Sequence, residues 1–373
     1  MLVRCINCGF SCQKYGKTKA GSQRWYCKQC NITFTQTIDN TTKYFHRFLN
    51  WLFSKETQQD MPGQGRTFRR QIADFWQIWP MPPKIETSRD VVFVDGIYLA
   101  KKACILICYD GEHVLGWYLC RSEQSRSWQA LMQRIATPIV VVSDGGPGLR
   151  KALKKVWRTA KLQRCIVHAV WQVHRYTTKR PKTLAGITLK DLASDLYSVK
   201  TQEDAQIWIQ RLFNWRVTFK EFLNEMTRDS NDNLRATHER LLKAYNSLVV
   251  LINTETMFRY LDETLVLDKK CPRTNNPIEG GVNAQLRRLL RYHRGMSVEK
   301  RIKAVFWWCY LHSPRPLSVK EILKVMPTDT SISKIYSSMN ERAQLQGIIP
   351  TWGDAISWGD LHNYDKLSFN DWD

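Results

Sequence analysis

Acidic side chains and long apolar runs are both scarce in this 373-residue chain. Asp and Glu number 34 against 56 Lys and Arg, a formal net charge of +22. Such an excess calls for counter-charge from outside; nucleic acid is the first candidate polyanion and a membrane surface the second. No stretch approaches the roughly 18 uncharged apolar residues of a transmembrane helix. Met1 to Cys12 carries Arg4 and polar positions where a signal peptide would place its apolar core, so a cytoplasmic protein is expected. No Ser/His/Asp pattern marks a side-chain nucleophile. A composition 43% hydrophobic and 24% charged excludes disordered and collagen-like classes. Eleven cysteines, an odd number, argue against a disulfide framework and for metal ligation or burial.

What is there begins with four of those cysteines. Cys5-Ile-Asn-Cys8 and Cys27-Lys-Gln-Cys30 repeat a C-x2-C pair after an 18-residue gap, the spacing of a structural zinc site. So short a segment has too few apolar residues for a core of its own, and a thiolate-bound ion replaces one. Cys12 is left over as a small hydrophobe. Between the pairs, Lys14, Lys17, Lys19, Arg24, Trp25, Tyr26 and Lys28 form a basic, aromatic run suited to phosphates and bases. Helical patterns follow over 44–53 and 67–79, separated by Met61-Pro-Gly-Gln-Gly65. They are compatible with a helix-turn-helix with Arg66, Arg69 and Arg70 near the start of its second helix, although two amphipathic helices joined by a Gly-containing turn more often form just a small bundle.

Pro80, Pro82 and Pro83 mark a linker, after which the periodicity turns strand-like. Residues 91–99, 103–109 and 114–120 read as a β-meander, 125–136 as a helix, 139–143 as a fourth strand ending at Asp144-Gly-Gly146, 151–157 as a helix and 163–167 as a fifth strand. In the order β-β-β-α-β-α-β the fourth strand follows a helical crossover and can lie parallel to the first. Asp95 and Asp144 then meet on neighbouring strands. A carboxylate among Val, Phe and Ile is costly unless neutralised, and a divalent cation neutralises it. Either aspartate before glycine also fits a hydrogen-bonded turn. Asp90 and Asp110 lie outside the buried strands, Asp110 at a hairpin tip.

For about a hundred residues thereafter the pattern is helical, as in 203–213 and 237–252, and an all-α insertion is expected. Thr274-Asn-Asn276-Pro-Ile-Glu279-Gly-Gly281 then opens a helix with Val282, Leu286, Leu289 and Leu290 inward and Arg287, Arg288, Arg291, His293 and Arg294 outward. Asn276 as N-cap and Pro277 at the first helical position put Glu279 at the third, where it either closes a capping box or faces a phosphodiester.

Asp95 in a Val-rich strand, Asp144-Gly-Gly, Cys165-Ile-Val-His168, the helical insertion, Asn276-Pro-Ile-Glu279-Gly-Gly and Arg291-Tyr-His-Arg-Gly-Met296 together resemble the Mutator-like transposases of bacterial insertion sequences. The likeness runs from about Val91 to His312. It implies a ribonuclease H-like mixed sheet with the all-α insertion ahead of its last catalytic helix, behind an N-terminal zinc ribbon and a small helical DNA-binding region. It also implies an acidic triad of Asp95, Asp144 and Glu279, a Cys-x2-His signature at Cys165 and His168, and Mg2+-dependent DNA cleavage at transposon ends followed by strand transfer. The residues agree with that chemistry: three hard carboxylates can hold two Mg2+ ions, one beside the attacking oxygen and one beside the leaving oxygen. A second zinc at Cys165 and His168 would need two more ligands, with His174 and Cys271 available.

The expected domains are a zinc ribbon at 1–38, a helical region at 39–83, the first part of the core at 84–169, the insertion at 170–272, the final core helices at 273–313 and an extension at 314–373. Double-stranded DNA, as terminal repeats and target, is the expected partner, contacted by Arg24, Trp25, Arg69, Arg70, Lys151, Lys154, Lys155, Arg287, Arg288, Arg291 and Arg294. A homodimer is expected, at least on DNA. From Arg150 to Lys190 there are twelve Lys and Arg and no acid, a strip that would follow a phosphate backbone. Residues 352–373 reverse the sign, with five aspartates, one lysine and three tryptophans; they read as a disordered tail or a docking segment. A structure-selective nuclease and a non-catalytic zinc-ribbon regulator are the alternative functions.

Overall fold

A computed structural model of the chain describes residues 3–36, 39–99, 103–265, 270–334 and 337. The acidic stretch at 352–373 lies outside the described residues. The chain divides into two compact units, Met1–Asn50 and Trp51–Asp373.

The first unit carries a three-stranded antiparallel sheet of β1 (Gln13–Lys17), β2 (Gln23–Cys27) and β3 (Ile32–Thr35), and most of α1 (Thr41–Leu52). Its small core consists of Val3, Cys5, Cys12 and Cys27, with Trp25, Ile32 and Phe34 packed against it, confirming how little apolar material the segment has.

In the second unit α2 spans Arg66–Ile72 and passes into a 3-10 turn at Asp74–Gln77, so the helix expected to reach Trp79 stops seven residues short. Pro80 is the physical reason the chain is extended by then, because the residue before proline is driven out of the helical region.

The strands β4 (Val91–Leu99), β5 (Ala103–Tyr109) and β6 (Val114–Cys120) form the meander, followed by α3 (Ser125–Met132), β7 (Val140–Ser143), α4 (Pro147–Lys155) and β8 (Lys161–Arg164). They make one mixed five-stranded sheet in the order β6-β5-β4-β7-β8. β4, β5 and β6 pair antiparallel, whereas β4–β7 and β7–β8 pair parallel, as the helical crossovers require. Val92, Val94, Cys104, Leu106, Cys108 and Val141 bury one sheet face against Trp128, Leu131, Leu149 and Trp157 of α3, α4 and the turn after α4. The fifth strand ends at Arg164, earlier than its apolar pattern suggests, and Cys165 becomes the N-cap of α5 (Ile166–Thr177).

The insertion contains α6 (Leu184–Ser194), α7 (Gln202–Thr218), α8 (Lys220–Leu223) and α9 (Glu239–Asn253) around a core of its own with Leu189, Trp208, Leu212 and Leu248. It is not all-α. Between α8 and α9 a hairpin of β9 (Met226–Arg228) and β10 (Leu234–Ala236) interrupts the helices. Its turn is held by Asp229, whose Oδ1 accepts the Asn231 and Asn233 N–H groups and whose Oδ2 pairs with Arg235. Three-residue strands are too short to leave an alternating apolar pattern, which is why the helical periodicity hid them.

Asn276 leads into a π-helical turn at Pro277–Asn283, continued by α10 (Ala284–Tyr292), α11 (Val298–Leu311) and α12 (Val319–Val325). α11 packs on the sheet, with Phe306 edge-on to Trp117 of β6.

Candidate active site and thiolate cluster

The parallel register aligns the two aspartates. Phe93 pairs with Val142, so Asp95 and Asp144, each two residues further along, leave their adjacent strands at the same level. Asp95 stays within β4 and accepts the Gly96 N–H at 2.9 Å. Asp144 sits just past β7, where its Oδ1 accepts the Gly146 N–H at 3.0 Å in the loop that starts α4. Gly145 adopts a φ of +77°, and a Cβ there would come 2.6 Å from the Arg164 guanidinium. Glycine is therefore required on both conformational and steric grounds.

Glu279 arrives from the other side of the sequence on the π-helical turn, a form of local widening common at functional sites. Asn276 makes no side-chain cap, so Glu279 is not engaged in a capping box. Four residues on, Asn283 donates from Nδ2 to Asp95 Oδ2 at 2.7 Å, locking the turn onto β4. Asn275 adds a second tie, donating from Nδ2 to the Val94 carbonyl at 3.3 Å. Burial, the nearby Glu279 charge and Asp144 push Asp95 up to about 7. The three predicted carboxylates thus share one electrostatic neighbourhood.

His168, one turn into α5, brings Nδ1 to 3.4 Å from Glu279 Oε1, and both atoms are buried with no hydrogen-bond partner among the described residues. Cys165 Sγ completes a trio with them and accepts the Asn275 N–H at 3.2 Å. Burial raises the Cys165 thiol, yet hydrogen bonds from His168 and Asn275 outweigh it and hold the thiol below its ordinary value. Contact with Cys165 raises His168 in turn. The other ligands considered for a second zinc lie elsewhere. His174 meets Ser194 Oγ at 3.2 Å, and the Cys271 thiol contacts the Pro272 carbonyl.

Four functional-looking residues were not legible beforehand. Asn283 was hidden among helix-lining positions, although its i,i+4 spacing from Glu279 was the available signal. Glu123, between β6 and α3, lies close enough for Asp144 and Asp95 to push its carboxyl, already raised by burial, up to about 7. Arg164 belongs to the basic strip but is 9% exposed and turned toward the Gly145 loop, so it does not follow a surface backbone. Trp171 is 58% exposed one turn past His168, with its ring edge-on at 5.5 Å.

Among the predicted DNA-contact residues of this unit, Arg69 and Arg70 are exposed on α2, and Lys151, Lys154 and Lys155 on α4. Lys151 and Lys154 line a groove of about 460 Å³ with Arg150, Arg158, Lys161 and Arg259. Arg287, Arg288, Arg291 and Arg294 are exposed in and after α10. His293 is not on that face. It is 7% exposed, lies tilted against Trp51 with ring centroids 4.6 Å apart and bonds the Leu52 carbonyl through Nε2, because the end of α10 turns inward there. Burial holds it below the usual histidine range.

In the first unit, Cys5, Cys8, Cys27 and Cys30 bring their sulfurs within 4.8 Å of one another. Cys5–Cys30 and Cys8–Cys27 separations of 3.9 and 3.6 Å bracket the roughly 3.8 Å edge of a tetrahedron with 2.3 Å zinc–sulfur bonds. The four cysteines can therefore hold a zinc ion. Hydrogen bonds from the Asn7 and Cys8 backbone hold the Cys5 thiol down at about 6. Cys12 goes the other way, pushed up to about 11 by burial, as a core thiol should be. Arg24 hydrogen-bonds Thr33 across β2 and β3, and Trp25 is half-buried against the cysteine core.

A family profile described as "Transposase, Mutator family" matches residues 91–306, from the first strand of the five-stranded sheet into α11. The chain belongs to the Mutator family of transposases. It is 25% identical over 184 residues to a "Transposase for insertion sequence element IS905" of Lactococcus lactis subsp. lactis (strain IL1403), covering 44% of this chain and 45% of the relative. It is 24% identical over 121 residues to a "Probable transposase for insertion sequence element" of Corynebacterium diphtheriae, covering 30% of this chain and 34% of that one. The matches thus span less than half the length of these curated transposases. All the residues of the carboxylate site lie inside the family match, and the four thiolates lie outside it. No helix among the described residues is long and apolar enough to cross a membrane.

Proposed function

We propose that the chain is a DNA transposase that cleaves phosphodiester bonds at the ends of an insertion sequence and joins the resulting 3′-OH to target DNA. The observation that carries this reading is geometric: Asp95 and Asp144 leave adjacent parallel strands at the same level, and Asn283 ties the Glu279-bearing turn to Asp95, drawing three carboxylates from three separate elements of a family-matched transposase domain. The sheet order and its parallel β4–β7 pair support the ribonuclease H-like reading.

The donor set fits a hard cation. Asp95, Asp144 and Glu279 offer only oxygens, and one Glu279 oxygen is buried without a hydrogen-bond partner among the described residues. Bound Mg2+ would supply charge neutralisation at the attacking and leaving oxygens. The chain's own residues do the rest: Asn283 orients Asp95, the Gly145-Gly146 turn holds Asp144 through the Gly146 N–H, and His168 faces Glu279 at ion-pair distance. Around them, the basic groove on α4 and the arginines of α10 balance backbone phosphates. Trp171, beside the site, offers a face on which an unstacked base can rest, with Arg175 exposed one turn further on. The zinc ribbon with Arg24 and Trp25, and the helix-turn-helix reading of 39–83 with Arg69 and Arg70, complete the DNA surface. On DNA the protein works as a homodimer.

Asp95→Asn, Asp144→Asn and Glu279→Gln test this. With Mg2+ and inverted-repeat DNA, each should slow cleavage by roughly 10³-fold or more, about 4 kcal/mol of barrier, and leave DNA affinity within about threefold. Any variant that turns over like the wild type removes its residue from the triad. Incubating pre-cleaved ends bearing a free 3′-OH with target DNA separates the readings, since a nuclease of the same fold would yield no joined product.

A further inference from the structure

We infer that a cavity at the far end of α10 takes one unstacked nucleotide of the bound DNA, an inference that rests on the transposase reading above. The cavity, of about 680 Å³, lies between residues 51–76 and the turn that joins α10 to α11. The block Arg291-Tyr-His-Arg-Gly-Met296 has no task in the carboxylate chemistry, yet it supplies four of the lining residues, Tyr292, His293, Gly295 and Met296.

Three features of the lining select the occupant. The first is charge. Arg69 and Lys300 line the cavity, whereas no Asp or Glu does. Among the described residues Arg69 reaches Gln58 Oε1 at 3.4 Å and Lys300 Nζ stands 5.6 Å from the centre of the Trp76 ring, so neither cation has an acidic partner. The acids that neighbour the lining in sequence are engaged elsewhere: Asp60 Oδ2 accepts the Thr57 N–H at 2.7 Å, and Glu299 Oε1 accepts from Lys303 Nζ at 2.6 Å. Two cations without counter-charge favour an anion. The second feature is an aromatic face. Tyr292 is exposed, with no ring partner among the described residues, and such a face stacks any base. The third is a donor. Trp51 Nε1–H is buried with no hydrogen-bond partner among the described residues, and base heteroatoms are acceptors. An apolar ligand would leave both cations unpaired, and an inorganic anion would leave most of the space empty. A base with its phosphate supplies plane, acceptors and negative charge together.

The cavity also lies at a set reach from the chemistry. Tyr292 follows Glu279 along one helical run, about 20 Å at 1.5 Å per residue, and Arg287, Arg288 and Arg291 are exposed along it. At about 3.4 Å per nucleotide, a strand following those arginines from the carboxylates reaches the cavity roughly six nucleotides from the cleaved bond.

Single mismatches walked through an inverted-repeat duplex, with binding of the full chain measured at each position, test this. Taking a nucleotide out of the stack costs least where its pairing is already broken. The wild type should bind about tenfold tighter when the mismatch stands roughly six nucleotides from the cleaved bond, and not when it stands elsewhere. Lys300→Gln removes a charge, and Gly295→Leu fills a place where a Cβ meets nothing within 4 Å; each should lose that gain. Tyr292→Phe keeps the ring and should retain it. A flat mismatch profile with tight binding to the paired duplex overturns the inference and leaves the transposase reading standing, whereas failure to bind the inverted repeat at all ends both. A gain that survives Lys300→Gln and Gly295→Leu puts the unpaired nucleotide elsewhere and overturns the inference too. Binding of a deoxynucleoside monophosphate to the DNA-free chain without any mismatch gain would make this a site for a free nucleotide and overturn its assignment to DNA.

Discussion

The thiolate cluster and the carboxylate cluster solve opposite problems. Four sulfurs from residues 5–30 surround one point at near-tetrahedral spacing and leave no position for a substrate. The carboxylates come from β4, the loop after β7 and the π-helical turn, spread over positions 95–279, and they repel one another where they meet. A site whose ligands are all supplied by the chain holds a segment together. A site short of ligands has room for chemistry. The first is local and can close around an ion on its own, whereas the second depends on a prior scaffold of strands and helices to hold like charges close.

The largest expected effect breaks that contrast at its closed end. Cys27→Ser should remove the zinc and with it the fold of the first unit, since a structural zinc contributes about 10 kcal/mol to so small a domain. Metal analysis should fall from one zinc per chain to none, while Mn2+ binding at the carboxylates is unchanged. A wild-type protein free of zinc would sink the closed-site reading.

The next effect is at the open end. Asn283→Ala removes the 2.7 Å bond to Asp95 and leaves a half-buried carboxylate unoriented. A hydrogen bond to a charged group contributes about 2 kcal/mol, so cleavage should slow roughly 30-fold with DNA affinity unchanged. Asn283→Asp, which places a like charge against Asp95, should be worse than alanine. Equal rates for alanine and wild type would show that the π-helical turn positions Glu279 without help from Asn283.

The two sites also differ in how far the sequence discloses them. The cysteines announce themselves because ligand spacing along the chain is the site. Asp95 and Asp144 were legible at one remove, since strand order and a helical crossover imply a parallel pair and hence their approach. Glu279 could be placed at a helix start, but that the turn would be π-helical and tied to Asp95 by Asn283 was not legible, because that bond spans 188 positions. Glu123 was unreadable for a related reason: what distinguishes it from any acid before a helix is its burial against β4, where a Cβ on Gly96 would lie 2.6 Å from its Oε1. Arg164 and His293 show the converse error. Charge or polarity in a run predicted a surface, yet each side chain turned inward to a neighbour the local pattern could not name.

A smaller effect follows from the repulsion itself. Asp95 and Glu123 both hold their protons to about 7 in the fold, well above their usual range near 4. The metal-free protein therefore binds more protons folded than unfolded between those limits, and its stability falls as pH rises through them. Divalent cation at Asp95 opposes its share of that loss. Mg2+ should raise the melting temperature by about 2–4 °C at pH 8 and by less than about 1 °C at pH 5. Equal shifts at both pH values would mean that the ion binds away from Asp95.

The smallest effect concerns which region grips DNA. The arginines of α10 are exposed on the helix that continues the Glu279 turn, whereas Arg24 in the thiolate module is already engaged with Thr33. If phosphate contact is shared across Arg287, Arg288, Arg291 and Arg294, each alanine substitution should weaken binding modestly and to the same extent on every sequence, reducing the slope of log affinity against log salt by about 1. Arg24→Ala should instead change the preference among end sequences more than the slope, because its module offers Trp25 and Tyr26 as well as charge. A slope change at Arg24 and none at Arg288 would reverse the assignment, making the thiolate module the electrostatic anchor and leaving α10 to act through its glutamate-bearing turn alone.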